Sequence, residues 1–348
     1  MDVIVVGAGV AGSLAARSLA AQGHRVRVLD KGFIAGGRLA SRSVGAATFD
    51  VGAQFLTARS DRFARLVGAW EQAGVLRPWF RGSPDRDAPE DPTGHVRWRG
   101  SPTMRALAHH LVAGLEVELG TAALRAVPSG GGWDLEVATR LPGTPSRPDA
   151  IGEEGPRRLL RTDALVLTAP LPQTLALLAT GAAPLPHAIA DRLAPIEYDP
   201  CLTLLAVPHE RVSLPERGAV RIEDGALAWL TDHQASGASR TPAVTVHASA
   251  AFSHDHLDAS EELIVRRLRR AAGAVLHTDL DAVHLHRWRF ATPTTSVGED
   301  SLAVEVDGAP LAIAGDAFLG GRVEGAALSG LDAAARLDEL TTDEAASA

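Results

Sequence analysis

Residues 2–30 constrain this chain more than any other stretch. Asp2-Val3-Ile4-Val5-Val6 has the apolar run of a short buried strand and passes straight into Gly7-Ala8-Gly9-Val10-Ala11-Gly12. A helix-prone, alanine-rich stretch follows from Ser13 to about Ala21, and a second apolar strand, Val26 to Leu29, ends on Asp30. Strand, glycine turn, helix, strand and acid form the setting in which G-x-G-x-x-G reads as a dinucleotide fingerprint. Gly7 allows the tight turn, Gly9 lets backbone approach a pyrophosphate, and Gly12 lets helix and strand pack closely. Helix N-terminal amides can then receive the phosphate charge, and Val10 and Ala11 within the motif are counted among the dinucleotide contacts. Asp30 lies eighteen residues past Gly12, where a carboxylate accepts hydrogen bonds from a ribose.

The remaining composition bounds the function. A chain of 348 residues predicts about two domains. The net charge of −8 argues against a nucleic-acid partner, and the basic residues are scattered arginines with Lys31 as the only lysine. A single cysteine, Cys201, excludes an internal disulfide and a cysteine metal cluster. No apolar run approaches a membrane span, so no membrane partner is expected. The first strand begins at residue 2 and leaves no room for a signal peptide before it, so the expected location is cytoplasmic.

A second glycine cluster follows the fingerprint. Gly36-Gly37-Arg38 suits a place where backbone approaches a phosphate and a guanidinium grips it, the alternative being a loop with a solvated arginine. Ala47 to Phe55 then reads as a strand-turn element whose Gly52 and Ala53 would let a flat ring come close.

G-A-G-V-A-G, then G-G-R, then D-V-G-A-Q-F resembles the flavin-binding half of the amine-oxidase superfamily. D-V-G-A-Q-F-L-T-A-R-S-D-R-F is similar to the bacterial renalase-like oxidases, as are Trp98 to Met104, His286-Arg287-Trp288 and Gly315-Asp316 through Ala326. The blocks span nearly the whole chain. The resemblance implies non-covalently held FAD and an α/β fold. A Rossmann-type FAD-binding domain with a β-meander would be joined to an α+β substrate domain with an antiparallel sheet. It assigns FAD contacts to Lys31, Gly37, Arg38, Gly52, Ala53, Gln54 and Ala123 as well as the fingerprint.

The rest of the chain is organised around that scheme. Apolar spacing predicts helices over 61–74 and 102–113, a meander of Val117 to Leu119, Ala123 to Val127 and Trp133 to Ala138, and a returning strand at Leu165. Residues 81–94 read as an exposed loop and 140–158 as a turn-rich, mobile insertion. Strands at Leu202–Val207, Ala226–Thr231 and Val244–Ser249 with a helix from Ser260 to about Ala272 fit the substrate domain. The expected FAD-binding domain is therefore 1–60, 98–172 and 300–340. The substrate domain is 61–97 and 173–299, and 341–348 is a flexible tail. His254 and His256 form an H-x-H that reads as a polar loop, and no metal is expected.

Near the C-terminus, Leu311 to Ile313 leads into Gly315-Asp316 and then a helix opening at Val323-Glu324-Gly325-Ala326. The resemblance gives Asp316 the ribityl hydroxyls, and aims the amides near Val323, Glu324 and Ala326 at the flavin pyrimidine. Positive helix ends stabilise a reduced flavin's charge. No cysteine lies near this motif for covalent attachment.

Amine oxidases of the superfamily often use a lysine-held water and flanking tyrosines, yet this chain has only Lys31 and Tyr198. Renalase-like enzymes oxidise the 2- and 6-dihydro isomers of NAD(P)H to NAD(P)⁺, with hydride passing to flavin N5 and O2 becoming H2O2. That hydride donor needs no base. Expected substrate-side residues are Gln54, His233, His247, Arg287 and Trp288, with Trp288 stacking on a flat ring and Arg287 or Arg289 holding a phosphate. His233 stands where relatives are expected to carry asparagine. Two alternatives stay open: an FAD oxidase of an amine or other small organic substrate, and a non-catalytic FAD-binding protein.

Overall fold

The computed structural model describes residues 1–347 apart from 86–90, 92, 142–153, 213, 216 and 223–224. The chain divides into two compact units, one of 1–37, 108–197 and 293–348, the other of 38–107 and 198–292. These boundaries differ from those expected: 38–60 and 98–107 join the second unit, and 173–197 the first.

The first unit is built on a six-stranded sheet. Its order is Leu302–Val306, Ala309–Ile313, Ala164–Leu167, Asp2–Val6, Arg25–Asp30 and Glu116–Leu119. Only the first pair is antiparallel, and the remaining neighbours are parallel. The central strands are apolar throughout because parallel strands are covered on both faces. Helix Val10–Ala21 covers one face through Ala15, Ala16 and Leu19, and helix Val323–Ser347 adds Ala333, Ala334 and Leu337 to the same core. That last helix runs past Thr341, where a flexible tail was expected. The meander is present as Thr121–Ser129, Gly132–Arg140 and Glu154–Thr162. Residues 154–158 are thus strand rather than insertion, while 142–153 lie outside the described residues.

The second unit holds a five-stranded sheet in the order Ala219–Arg221, Leu227–Asp232, Val244–Ala248, Tyr198–Pro208 and Leu280–Pro293. Strand alternation sorts its side chains onto two faces. Leu202, Leu204, Leu230, Val244 and Val246 meet Ile264, Leu268, Ala272 and Leu276 of helix Glu261–Leu276. The opposite face carries Leu205, Thr245, His247 and Trp288, and it packs against Ala47, Phe49 and Val51. Ser60 caps helix Asp61–Gln72 by accepting the Phe63 amide, which fixes its start. Helix 102–113 is shorter than expected, Met104–Val112.

Candidate active site

In the first unit the glycine turn is dictated by space. Gly7 sits at φ +116°, and a Cβ there would lie 2.4 Å from Thr168 Oγ1. A Cβ on Gly12 would lie 1.9 Å from the Gly7 carbonyl oxygen, so helix and strand approach as the motif predicts. Gly9 differs. Its φ of −77° suits any residue, and a Cβ would meet no protein atom within 4 Å. Nothing inside the protein calls for glycine there, whereas a pyrophosphate approaching the backbone does. Gly36 donates to the Ala8 carbonyl at 2.9 Å, and a Cβ on Gly37 would lie 3.9 Å from Gly9 Cα, so the second glycine cluster adjoins the first.

Asp30 ends its strand beside this turn, accepting the amides of Ala8 at 2.7 Å and Gly32 at 2.6 Å. Burial raises its pKa, and those two amides pull it back. Lys31 follows, its carbonyl accepting from Arg140 at 2.8 Å. Ala123 lies on the meander strand opposite Val137. At the C-terminal anchor Gly315 has φ +154° with no atom within 4 Å of a Cβ, its amide held by Ser329 Oγ at 3.0 Å. Asp316 and Glu324 are buried, Val323 opens the long helix, and Ala326 donates to the Arg322 carbonyl at 3.1 Å. These residues fit a dinucleotide: Gly9 without an internal reason for glycine, open space beside Gly315, helix amides, and acids at the end of the second strand and at two helix starts.

In the second unit Arg38 donates through Nη1 to the Ala291 carbonyl at 3.0 Å. Gly52 has a packing reason that the sequence did not give, since a Cβ would lie 2.1 Å from the Arg38 carbonyl oxygen. Ala53 donates to that same oxygen at 2.9 Å.

The backbone carbonyls of Asp50 and Val51 organise the predicted substrate residues. Gln54 is buried, and its Nε2 donates to the Asp50 carbonyl at 2.7 Å and to Gly52 at 2.9 Å. Two carbonyl partners fix the amide orientation and leave Oε1 buried without a partner. Thr245 Oγ1 donates to the Asp50 carbonyl at 2.9 Å, so its oxygen accepts from His233 Nε2 at 2.7 Å. His233 is thereby the Nε2–H tautomer, with Nδ1 a buried acceptor lacking a partner. Burial drives the His233 pKa down to about 3, with His247 adding to the effect. His247 Nε2 donates to the Val51 carbonyl at 3.0 Å, and burial lowers its pKa also. Trp288 Nε1 reaches the same carbonyl at 3.4 Å, its ring 4.1 Å from that of His286. Gln54, His233, His247 and Trp288 therefore form one uncharged polar cluster.

Arg287 is not part of it. As a strand neighbour of Trp288 it points to the other face, donating to the Ala259 carbonyl at 3.1 Å, while Arg289 pairs with Asp258 at 2.8 Å. Neither can hold a phosphate beside Trp288. Asp50 and Thr245 were missed, although Thr245 shares the face of His247 by strand period. Asp50 accepts Ser41 Oγ at 2.5 Å and the Met104 amide at 2.9 Å, and burial raises its carboxyl to about 7. The H-x-H histidines go separate ways. His254 pairs with Asp199 at 2.9 Å, and His256 lies between the Phe252 carbonyl and Arg267. Among the described residues no helix is long and apolar enough to cross a membrane.

The fold and the glycine turn define a dinucleotide-binding class, and comparison with known proteins gives the family. Residues 5–70 match the NAD(P)-binding Rossmann-like domain, and residues 90–338 match flavin containing amine oxidoreductase. The chain belongs to the flavin-containing amine oxidoreductase family, and its cofactor is FAD, held non-covalently. It is 34% identical over 101 residues to a protein of Mycobacterium tuberculosis provisionally named flavin-containing monoamine oxidase AofH, covering 29% of this chain and 20% of that one. It is 42% identical over 66 residues to putrescine oxidase of Kocuria rosea, covering 19% of this chain and 14% of that one. The chain thus spans only a fifth or less of these curated relatives. A crystal structure from Exiguobacterium sp. 255-15, provisionally titled protoporphyrinogen oxidase, shares the fold. Its TM-score is 0.70 over 98% of this chain and 99% of that one, at 12% identity.

Proposed function

We propose that this protein is a renalase-like FAD-dependent oxidase that returns 2- and 6-dihydro isomers of NAD(P)H to NAD(P)⁺. FAD, when bound, would supply the two-electron acceptor with O2 as the final oxidant, so that substrate, O2 and one proton give NAD(P)⁺ and H2O2. The observation that carries the reading is the uncharged cluster with two buried acceptors, Gln54 Oε1 and His233 Nδ1, that no donor among the described residues satisfies. A nicotinamide carboxamide offers two N–H donors, and an unpaired buried acceptor gains most from such a partner. Trp288 supplies a flat apolar wall near the same carbonyls. His233 and His247 orient and exclude water without taking a proton, since a dihydronicotinamide gives up hydride alone. Lys31 stands at the end of the second strand of the nucleotide fold, and Tyr198 is buried against Phe290 with ring centroids 5.8 Å apart. Neither is among the polar cluster residues.

The two free acceptors also suit an ammonium group. With the names of the similar monoamine and putrescine oxidases, that keeps an amine substrate as the second reading. Product analysis separates them. Aerobic turnover of 6-dihydro-NAD should yield NAD⁺ and H2O2 in equal amounts. Aldehyde and ammonia from an amine panel, with no NAD⁺ from either isomer, would establish the second reading instead.

A further inference from the structure

The second unit concentrates arginine on aromatic rings beside the polar cluster. In the hairpin Leu76–Arg81 and Val96–Gly100, Phe80 is paired with Arg97. The Arg97 guanidinium lies 4.7 Å from the Phe55 ring centroid and 5.5 Å from that of Phe80, and Arg217 lies 5.6 Å from Phe80. Arg97 is half-buried, and its Nε donates to the Gly82 carbonyl at 3.0 Å. Among the described residues no hydrogen-bond acceptor meets its Nη1 or Nη2. Arg217 is held at two atoms. Its Nε donates to the Ala219 carbonyl at 3.3 Å and its Nη2 to that of Asp85.

Among the described residues Arg97 keeps Nη1 and Nη2, and Arg217 keeps Nη1, for a further acceptor, and such guanidinium N–H groups are what bind phosphate. Among the described residues, three further arginines act on Arg97. Burial first, then Arg221, Arg59 and Arg217, lower the Arg97 pKa, opposed by the carboxylate of Asp85, which Arg221 already engages at 3.3 Å. The aromatic faces stabilise these guanidiniums only modestly, so a bound anion would relieve the repulsion between them. Position makes the cluster relevant. Phe55 directly follows Gln54, its ring centroid is 5.2 Å from that of Trp229, and Trp229 is paired across strands with His247. An ammonium substrate would be repelled here and a polyanion drawn in.

We infer that Arg97 and Arg217, beside Phe55, form the subsite for the pyrophosphate of a dinucleotide substrate, an inference that rests on the function proposed above. The test uses FAD-loaded protein with two substrates, 6-dihydro-NAD and the corresponding dihydronicotinamide riboside, which has no phosphate. Arg97→Gln and Arg217→Gln should each lower kcat/KM for the dinucleotide about 10- to 100-fold, the worth of a charge-assisted contact, mainly through KM. The riboside should be affected far less, Arg97→Lys should recover part of the loss, and inorganic pyrophosphate should compete with the dinucleotide only. Flavin content of each variant checks folding. Unchanged KM for the dinucleotide in both variants, with turnover intact, would overturn the subsite and leave the proposed function standing. If neither substrate is oxidised, calorimetry with inorganic pyrophosphate decides. Binding lost in both variants would support the subsite although the proposed reaction had failed, and no binding by the wild type would overturn it.

Discussion

Gly330 of the C-terminal helix lies against Ala11 of the fingerprint helix so closely that a Cβ would stand 2.2 Å from the Ala11 carbonyl oxygen. This crossing ties the C-terminal anchor to the first helix of the nucleotide fold. Backbone cannot yield there as a flexible side chain would. Gly330→Ala should therefore cost about 1–3 kcal/mol, the usual penalty of overpacking, and lower the flavin retained after purification. Denaturant midpoints of the FAD-free variant and wild type measure the first effect, and absorbance at the flavin band measures the second. Equal midpoints would show that the helices slide apart without cost.

Arg38 carries the gripping role proposed for the second glycine cluster. Arg38→Ala should weaken FAD retention more than turnover per bound flavin. Full flavin occupancy in the purified variant would count against a phosphate contact.

Asp50 makes stability depend on pH in a defined direction. Its carboxyl is raised from 3.8 to about 7 by burial, so the folded state binds the proton more tightly than the unfolded chain. The stabilisation is complete below the unfolded pKa and is lost as pH rises through about 7. The loss reaches at most about 4 kcal/mol from a shift of roughly three units. Asp50→Asn keeps an acceptor for Ser41 and Met104 and cannot ionise. Its stability relative to wild type should rise between about pH 4 and pH 7 and level off above that, read from urea midpoints. A constant difference over that range would place the titration elsewhere.

Burial pushes the Cys201 thiol up to about 11, with Thr203 and the Ala248 carbonyl as its sulfur contacts. Thiolate is then scarce at neutral pH. An aromatic disulfide reagent should label the native protein slowly and the urea-unfolded protein at once. Rapid native labelling would contradict the burial.

Much of the first unit was legible because its motif couples conformation to order. Gly7, Gly12 and Asp30 each have a steric or hydrogen-bonding reason that a short stretch of chain displays. Gly330 was not legible, since the atom it must avoid belongs to a residue more than three hundred positions away. In the second unit, the strands that hold Leu202, Leu204 and Val246 are legible as apolar runs, whereas the expected pairing of Arg287 with Trp288 fails. Adjacent strand residues face apart, so strand alternation alone separates Arg287 from Trp288. Asp50 and Thr245 escaped notice for another reason: their value comes from hydrogen bonds between distant segments. The domain limits also shifted because contacts, rather than motif order, decide which segment packs with which.

The central claim is that a dihydronicotinamide isomer is the electron donor. FAD-loaded protein mixed anaerobically with 2-dihydro-NAD, 6-dihydro-NAD, ordinary NADH and an amine panel tests it in one set of absorbance traces. The account predicts rapid loss of flavin colour with the two isomers and none on that timescale with NADH or the amines. Loss of colour with amines alone would contradict it.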